Sequence, residues 1–173
     1  MKTLILSSSL SKESKSFLLC KAVKKRLSAN GIDCKLVDAR KLSIETVHKK
    51  TTKDMLNLSK LIKETDNIII GMGVHCYSIN DNLKILLDNC FDGAIGKFFG
   101  ILCAAGGEKS YLSTMHLTQI CMNEWRMIQL PRIVYAIGTD FTNNKITSKQ
   151  VIKRIEDFSN EFNNIGGKLM HDC

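Results

Sequence analysis

Short apolar runs alternate with amphipathic stretches along this chain. Runs of strand length and β-rich composition predict strands over residues 3–7, 32–38, 67–73, 97–104 and 132–138. Apolar residues that recur every three to four positions predict helices over residues 14–30, 51–65, 81–91, 110–126 and 147–165. Gly31 follows the first helix as a stop signal, and Ser110 is predicted to cap the fourth.

Regular alternation of strand and helix is typical of an α/β protein with a parallel sheet between two helical layers. We therefore expect one domain over residues 1–173, a three-layer, doubly wound, five-stranded sheet with right-handed crossovers and strand order 2-1-3-4-5. Ligands bind such sheets outside the carboxyl ends of the strands, where the strand order reverses. Three segments meet at that edge: residues 7–16, 73–80 and 104–110.

The first segment joins a strand to a helix and is rich in serine. Free N–H groups at a helix start, the helix dipole and several hydroxyl groups together suit a phosphate. The segment lacks the GxxxxGK[ST] and GxGxxG patterns, which argues against a nucleoside-triphosphate loop and a dinucleotide fingerprint. The alternative is a serine-rich turn that only caps the helix. The hydroxyl groups in question belong to Ser9, Ser11, Ser14 and Ser16.

The other two segments contain glycines that would let the backbone approach a flat ligand closely. In the second, His75 and Tyr77 could lie against an aromatic ring, and Cys76 is interpreted as a buried structural thiol rather than a nucleophile. The third segment has the pair Gly106–Gly107. Taken alone, this third segment could equally be a plain turn between a strand and a helix.

Composition narrows the class of protein further. The seven cysteines are odd in number and form no CxxC pair, which argues against a disulfide framework or a zinc site and favours a reducing, cytoplasmic compartment. The apolar runs are too short to span a membrane. The net charge of +8 comes from lysines spread over helix faces, so we expect no nucleic-acid partner. A positive field would still attract anionic nucleotides.

Three motifs resemble those of the NADPH-dependent FMN reductase family, in particular its sulfonate-utilisation type. Residues 8–16 are similar to G-S-x-R-x-x-S-x-[NS], and residues 71–88 align without a gap to G-T-P-x-Y-x-x-S-x-S-G-x-L-K-x-x-L-D. The glycine pair after the fourth strand also matches. The positions kept in the second motif are Gly71, Ser78, Leu83, Lys84, Leu87 and Asp88.

The chain also departs from the family pattern. In the first motif, Ser8 replaces a glycine and Ser11 replaces an arginine, whereas the other phosphate serines are kept. The second motif is more altered. There Met72–Gly73 replaces Thr-Pro, His75 replaces tyrosine, and Asn80–Asp81 replaces Ser-Gly.

The resemblance implies a flavodoxin-like fold and an FMN-dependent NAD(P)H oxidoreductase. A hydride would pass from NAD(P)H to flavin N5 and then to a small-molecule acceptor, with no catalytic acid–base side chain and no metal. The phosphate would lie on the serine loop and the ring between the other two segments. The implied cofactor-binding residues are Ser9, Ser11, Ser14, Ser16, Gly73, Val74, His75, Cys76, Tyr77, Ser78, Ala105, Gly106 and Gly107.

Two other functions stay open at this point. One is a non-enzymatic flavin-binding electron carrier, although such proteins are typically acidic. The other is a divergent domain that has lost FMN and serves as a binding or sensor module. The resemblance also implies a homodimer or homotetramer. The apolar helix over residues 83–91 suits either a subunit contact or burial within one subunit.

Overall fold

Nine strands and five α-helices alternate along residues 1–171, which are the part of the chain described by this computed structural model. The strands are β1 (Lys2–Ser7), β2 (Asp33–Asp38), β3 (Asn67–His75), β4 (Ser78–Ile79), β5 (Phe98–Ala104), β6 (Ile128–Gln129), β7 (Val134–Ala136), β8 (Phe141–Thr142) and β9 (Lys145–Ile146). The helices are α1 (Lys15–Ala29), α2 (Lys53–Glu64), α3 (Asp81–Cys90), α4 (Thr114–Trp125) and α5 (Lys149–His171). Cys173 lies outside the described residues.

The main sheet has the order β2-β1-β3-β5, and both β6 and β7 pair with the outer side of β5. All these pairs are parallel. The predicted order 2-1-3-4-5 and the doubly wound α/β class are therefore confirmed, with β6 and β7 together in the fifth position. Strands β1 and β3 lie side by side, and β2 and β5 are their outer neighbours, so the chain changes direction between β1 and β3.

Two apolar cores cover the two faces of the sheet, which explains why the central strands are apolar at almost every position. On one face, α1 and α5 contribute Leu19, Val23, Phe158 and Phe162. On the other face, side chains of α2, α3 and α4 pack against the sheet. The three predicted layers follow from this arrangement.

The fifth strand is not the continuous segment 132–138 that the sequence predicted. Gln129 pairs with Phe99, and Val134 pairs with Leu102. Between these two pairs the chain advances five residues, whereas β5 advances only three. The surplus residues loop out of the ladder around Pro131, which has no N–H to donate to a neighbouring strand.

The fourth helix also begins later than predicted. Residues 108–113 form 3₁₀ turns, and α4 starts only at Thr114 with Ser113 at its cap position. The prediction that Ser110 caps this helix was therefore wrong. The six-residue 3₁₀ stretch places the helix start away from the glycine pair.

The segment 73–80, predicted to be a loop, is mostly a β-hairpin. Strand β3 continues to His75 and pairs antiparallel with β4, in the pairs Val74–Ile79 and His75–Ser78. The two turn residues, Cys76 and Tyr77, have positive φ angles of 47° and 58°. Two consecutive left-handed residues between paired strands form a type I′ turn.

The helix predicted as a possible subunit contact is buried within the chain. In α3 and the residue that follows it, Leu83, Leu86, Leu87, Cys90 and Phe91 are fully buried in the core. Of the two alternatives for residues 83–91, the structure supports burial within one subunit. Separately, no helix within residues 1–171 combines the length and apolarity that crossing a membrane requires.

Candidate functional site

A cavity of about 290 Å³ opens at the carboxyl ends of β1, β3 and β5. It lies where the strand order reverses, the position at which open α/β sheets bind ligands. Seven of the thirteen predicted site residues line it, namely Ser9, Ser11, Ser14, Ser16, Gly73, Ala105 and Gly106. Glu13, Lys15 and Ala104 complete the lining.

The serine loop both caps α1 and borders this cavity. Ser14 Oγ accepts a hydrogen bond from the N–H of Phe17 at 3.1 Å, and it lies 3.1 Å from Ser16 Oγ. The first turn of α1 contains no acidic residue, and the carboxylate nearest in sequence, Glu13, precedes the cap residue, so the positive end of the helix dipole faces this loop. The capping alternative and an anion-binding role are therefore compatible in one loop.

Arg40 braces the outer side of this loop. Its Nη1 donates to the carbonyl oxygen of Lys12 at 3.0 Å, and its guanidinium lies 4.2 Å from the ring centre of Phe17. Its Nη2 donates to Asp38 Oδ2 at 2.7 Å. Burial acts to raise the pKa of Asp38, but the hydrogen bonds and charge of Arg40 outweigh it and lower that pKa. The loop is thus tied to the end of β2 by a charged pair.

Beneath the loop lies a buried amide network. Asn80 and Asn82, only 2% and 4% exposed, donate from Nδ2 to the carbonyl oxygen of Ser8 at 3.3 and 3.0 Å. Asn80 Oδ1 also accepts from the N–H of Gly73 at 3.2 Å. The sequence interpretation missed both asparagines, although Asn80 stands at one of the departures from the family pattern.

The hairpin residues do not line the cavity. Val74 and Ser78 are half-buried, and His75, Cys76 and Tyr77 are exposed, with Tyr77 at 63%. Ser78 Oγ lies 3.0 Å from Nδ1 of His116 on α4, so a contact outside the main sheet holds the hairpin. The hairpin extends from Gly73 at the rim of the cavity.

Cys76 is exposed, so its interpretation as a buried thiol was wrong. It occupies the tip of the hairpin, beyond the part of β3 that the helices cover. By contrast, burial raises the pKa of Cys20, Cys103 and Cys121 to about 12, which keeps these three as inert thiols.

The third segment is fixed by an aromatic pair. The hydroxyl of Tyr135 donates to the carbonyl oxygen of Gly107, and Tyr111 packs edge-on against the same ring with centroids 5.2 Å apart. Burial raises the pKa of Tyr135, so its hydroxyl stays protonated and available as the donor. A Cβ added to Gly106 would meet no atom within 4 Å, so this glycine faces open space.

Most of the residues that line this cavity carry groups suited to binding a ligand. Hydroxyl groups, backbone N–H groups and small residues surround the cavity, with Glu13 and Lys15 as the ionisable residues among its lining. Within residues 1–171 there is no group of three or more histidine, cysteine or acidic side chains that could hold a metal ion.

Comparisons with known proteins agree with this description. The model of the NADPH-dependent FMN reductase family matches residues 1–142. The match is to the family as a whole, so the resemblance to its sulfonate-utilisation type stays a prediction. No curated protein matches the chain.

Solved structures share the fold at low sequence identity. FerB, a flavoenzyme NAD(P)H:(acceptor) oxidoreductase from Paracoccus denitrificans, has a TM-score of 0.78 at 16% identity, over 97% of this chain and 98% of its own. RosB, solved with 8-demethyl-8-formylriboflavin-5'-phosphate, has a TM-score of 0.84 at 15% identity, over 99% and 81%. An FMN-dependent NADH-azoreductase from Bacillus anthracis, solved with FMN, has a TM-score of 0.69 at 16% identity, over 94% and 99%.

Proposed function

The chain belongs to the NADPH-dependent FMN reductase family, and on that premise we propose that it is an FMN-dependent oxidoreductase that takes electrons from NAD(P)H and delivers them to a small-molecule acceptor. The observation that carries this proposal is the cavity at the sheet edge. Its lining combines four serines at a helix start with the small residues Gly73, Ala104, Ala105 and Gly106, beside the charged pair Glu13 and Lys15.

The serines and the small residues fit the two ends of FMN. A phosphate monoester needs hydrogen-bond donors and a positive potential, which the serine loop and the start of α1 provide. A flat ring needs walls without side-chain branches, and Gly73, Ala105 and Gly106 provide them. We propose that Ser9, Ser11, Ser14 and Ser16 bind the phosphate. The ring-binding residues would be Gly73, Ala105 and Gly106 of the cavity lining, Gly107 next to them, and the hairpin residues Val74, His75, Cys76, Tyr77 and Ser78, which would contact the ring from outside the cavity.

Bound FMN supplies the hydride-transfer chemistry, so the protein needs no nucleophile or proton donor of its own for that step. The chain's contribution is to bind and orient. Arg40 and Asn82 hold the serine loop from two sides, and Tyr135 fixes the carbonyl of Gly107. Rigid walls lower the entropy that ligand binding would otherwise lose.

A titration followed by reduction tests the proposal. The purified protein is titrated with FMN, with flavin fluorescence as the readout, and NADPH or NADH is then added without oxygen. We expect saturable binding and rapid loss of the flavin absorbance. Binding without bleaching by either nucleotide would indicate an electron carrier, and no FMN binding would indicate a domain that has lost its cofactor.

A variant ties the binding to this cavity. Gly106→Val places a branched side chain at a position where a Cβ would meet no protein atom within 4 Å. We expect FMN affinity to fall at least about tenfold, as for a ligand displaced by steric overlap, while the unfolding free energy stays within about 0.5 kcal/mol. Unchanged FMN affinity would mean that the ring lies elsewhere.

We also propose that the chain forms a homodimer or homotetramer through α4. Large apolar side chains on and beside this helix are exposed: Leu112 at 74%, Met115 at 51%, Met122 at 50% and Ile128 at 48%. Met115, Met122 and Ile128 line one groove, in which Arg126 is the one charged residue. A face of this kind can meet its own copy across a two-fold axis. Met122→Lys should lower the mass found by sedimentation velocity, whereas Leu56→Lys, at an exposed position on α2, should not.

One sheet and its flanking helices build both the fold and the candidate site. We therefore propose that residues 1–171 belong to a single domain. The cysteines of this part of the chain are free thiols. They support a reducing compartment, and we propose the cytoplasm.

A further inference from the structure

Two buried asparagines fix one peptide group of the serine loop. The carbonyl oxygen of Ser8 accepts a hydrogen bond from Asn80 Nδ2 at 3.3 Å and from Asn82 Nδ2 at 3.0 Å. Asn80 precedes α3 and Asn82 lies in its first turn. Ser8 itself is fully buried, and its N–H donates to the carbonyl oxygen of Gly71 at 2.9 Å. The residue is thus held on both sides of its Cα.

Holding this carbonyl also sets the direction of the next N–H group. In a trans peptide the C=O and N–H bonds point in opposite directions, and the structure has no cis peptide within residues 1–171. Since the Ser8 carbonyl points at the two asparagines, the N–H of Ser9 points away from them. Ser9, unlike Ser8, is among the residues that line the cavity.

From this geometry we propose that Asn80 and Asn82 are positioning residues, which turn the Ser9 N–H toward a phosphate bound in the serine loop. The inference rests on the proposed function, since the phosphate is that of FMN. Neither asparagine lines the cavity. Both act through the peptide between Ser8 and Ser9, so their effect depends on whether the ligand carries a phosphate.

The two asparagines differ in what else they hold. Asn80 Oδ1 accepts from the N–H of Gly73 at 3.2 Å and lies 2.9 Å from Ser8 Oγ. Asn80 therefore links the phosphate side of the cavity to the end of β3, on the ring side. Among the described residues, the side chain of Asn82 has its hydrogen bond to Ser8 alone. Asn82 should affect the phosphate only, and Asn80 should affect both ends of the ligand.

Riboflavin separates these roles because it is FMN without the phosphate. The dissociation constants of FMN and riboflavin are measured for the wild-type protein and for Asn82→Ala, Asn80→Ala and a control. The control is Asn89→Ala, also on α3, which removes an amide-to-carbonyl hydrogen bond of 2.7 Å to Ile85 that is remote from the loop. Thermal melts without ligand report the loss of stability in each variant.

For Asn82→Ala we expect FMN binding to weaken about tenfold, the scale of one hydrogen bond to a charged group, with riboflavin binding changed less than about twofold. For Asn80→Ala we expect both ligands to bind more weakly. Asn89→Ala should leave both dissociation constants unchanged. A role limited to stability would move FMN and riboflavin together in Asn82→Ala, and that result would overturn the proposal.

Wild-type protein provides a second measurement if Asn82→Ala does not fold. In ¹⁵N-labelled protein titrated with inorganic phosphate, the backbone signal of Ser9 and the side-chain amide signals of Asn80 and Asn82 should shift together, while that of Asn89 stays in place. No shift at Ser9 would refute the proposal.

If the wild-type protein binds riboflavin and FMN equally, the positioning role is wrong although flavin binding stands. If it binds neither, the proposed function itself has failed.

Discussion

At the scale of single residues, Gly71 and Gly106 show that two glycines near one site serve different needs. A Cβ on Gly71 would overlap Cys20 Sγ, which lies on α1 against the sheet, whereas a Cβ on Gly106 would meet nothing within 4 Å. Gly71 is therefore required by packing between β3 and α1. Gly106 is open toward the cavity and is free for a ligand to approach.

We expect Gly71→Ala to lower the unfolding free energy by about 1–3 kcal/mol, the usual cost of an overpacked core. Cys20→Ala removes the overlapping sulfur, so the double variant should be more stable than the sum of the two single effects implies. Gly106→Ala, on the same sheet edge, serves as the control and should be nearly neutral. Urea denaturation measures the four variants and the wild-type protein, and strictly additive effects would show that Cys20 is not the obstacle.

Asp38 gives a prediction for acid pH. Its pKa is lowered from 3.8 because hydrogen bonds from Arg40 outweigh the effect of burial. A carboxyl group with a lowered pKa stabilises the fold above its unfolded pKa, and this stabilisation disappears as the pH falls through the folded value. We expect Asp38→Asn to cost about 1 kcal/mol at neutral pH and to differ less from the wild type as the pH falls below 3.8. A difference that stays constant down to pH 2 would contradict the pairing.

At the scale of elements, the strands predicted correctly were those that the apolar sequence pattern alone determines. The central residues of β1, β3 and β5 are buried on both faces and mostly apolar, so these strands were placed within two residues of their bounds. The hairpin after β3 was missed because its turn is Cys76–Tyr77 rather than Asn-Gly, the usual signal for two left-handed residues. The division of the fifth strand was missed because residues that loop out of the strand pairing follow no hydrophobic periodicity.

The same turn is expected to be strained. Left-handed φ angles cost roughly 1–2 kcal/mol for a residue with a Cβ, and Tyr77 is too exposed to recover this by packing. Replacing Cys76–Tyr77 by Asn-Gly should raise the unfolding free energy by about 1 kcal/mol, as measured by urea denaturation. The turn Asn143–Asn144 between β8 and β9 has similar angles but residues that tolerate them, so Asn144→Gly should gain less. Equal gains at both turns would argue against strain at Tyr77.

At the scale of the whole molecule, the order of the strands was predictable, and the contacts between distant segments were not. Right-handed crossovers and the strand–helix alternation leave few topologies, and the cavity follows from the order they give. The braces of the serine loop come from far along the chain: Arg40 follows β2, and Asn80 and Asn82 begin α3. Single polar residues of this kind have no periodicity, so only the folded chain identifies them.

The net charge of +8 is the last property of the whole molecule with a functional consequence. FMN carries close to two negative charges at neutral pH and riboflavin carries none, so a positive field accelerates the encounter with FMN only. Raising the salt concentration from about 0.05 to 0.5 M shortens the screening length, and we expect the FMN association rate to fall at least about threefold while the riboflavin rate stays constant. Stopped-flow quenching of flavin fluorescence measures both rates. Lys15 in the cavity lining is accompanied by Glu13, whose charge is opposite, so the field of the other lysines would be the main source of this salt dependence. Equal salt effects on the two ligands would show that the charge has no part in binding.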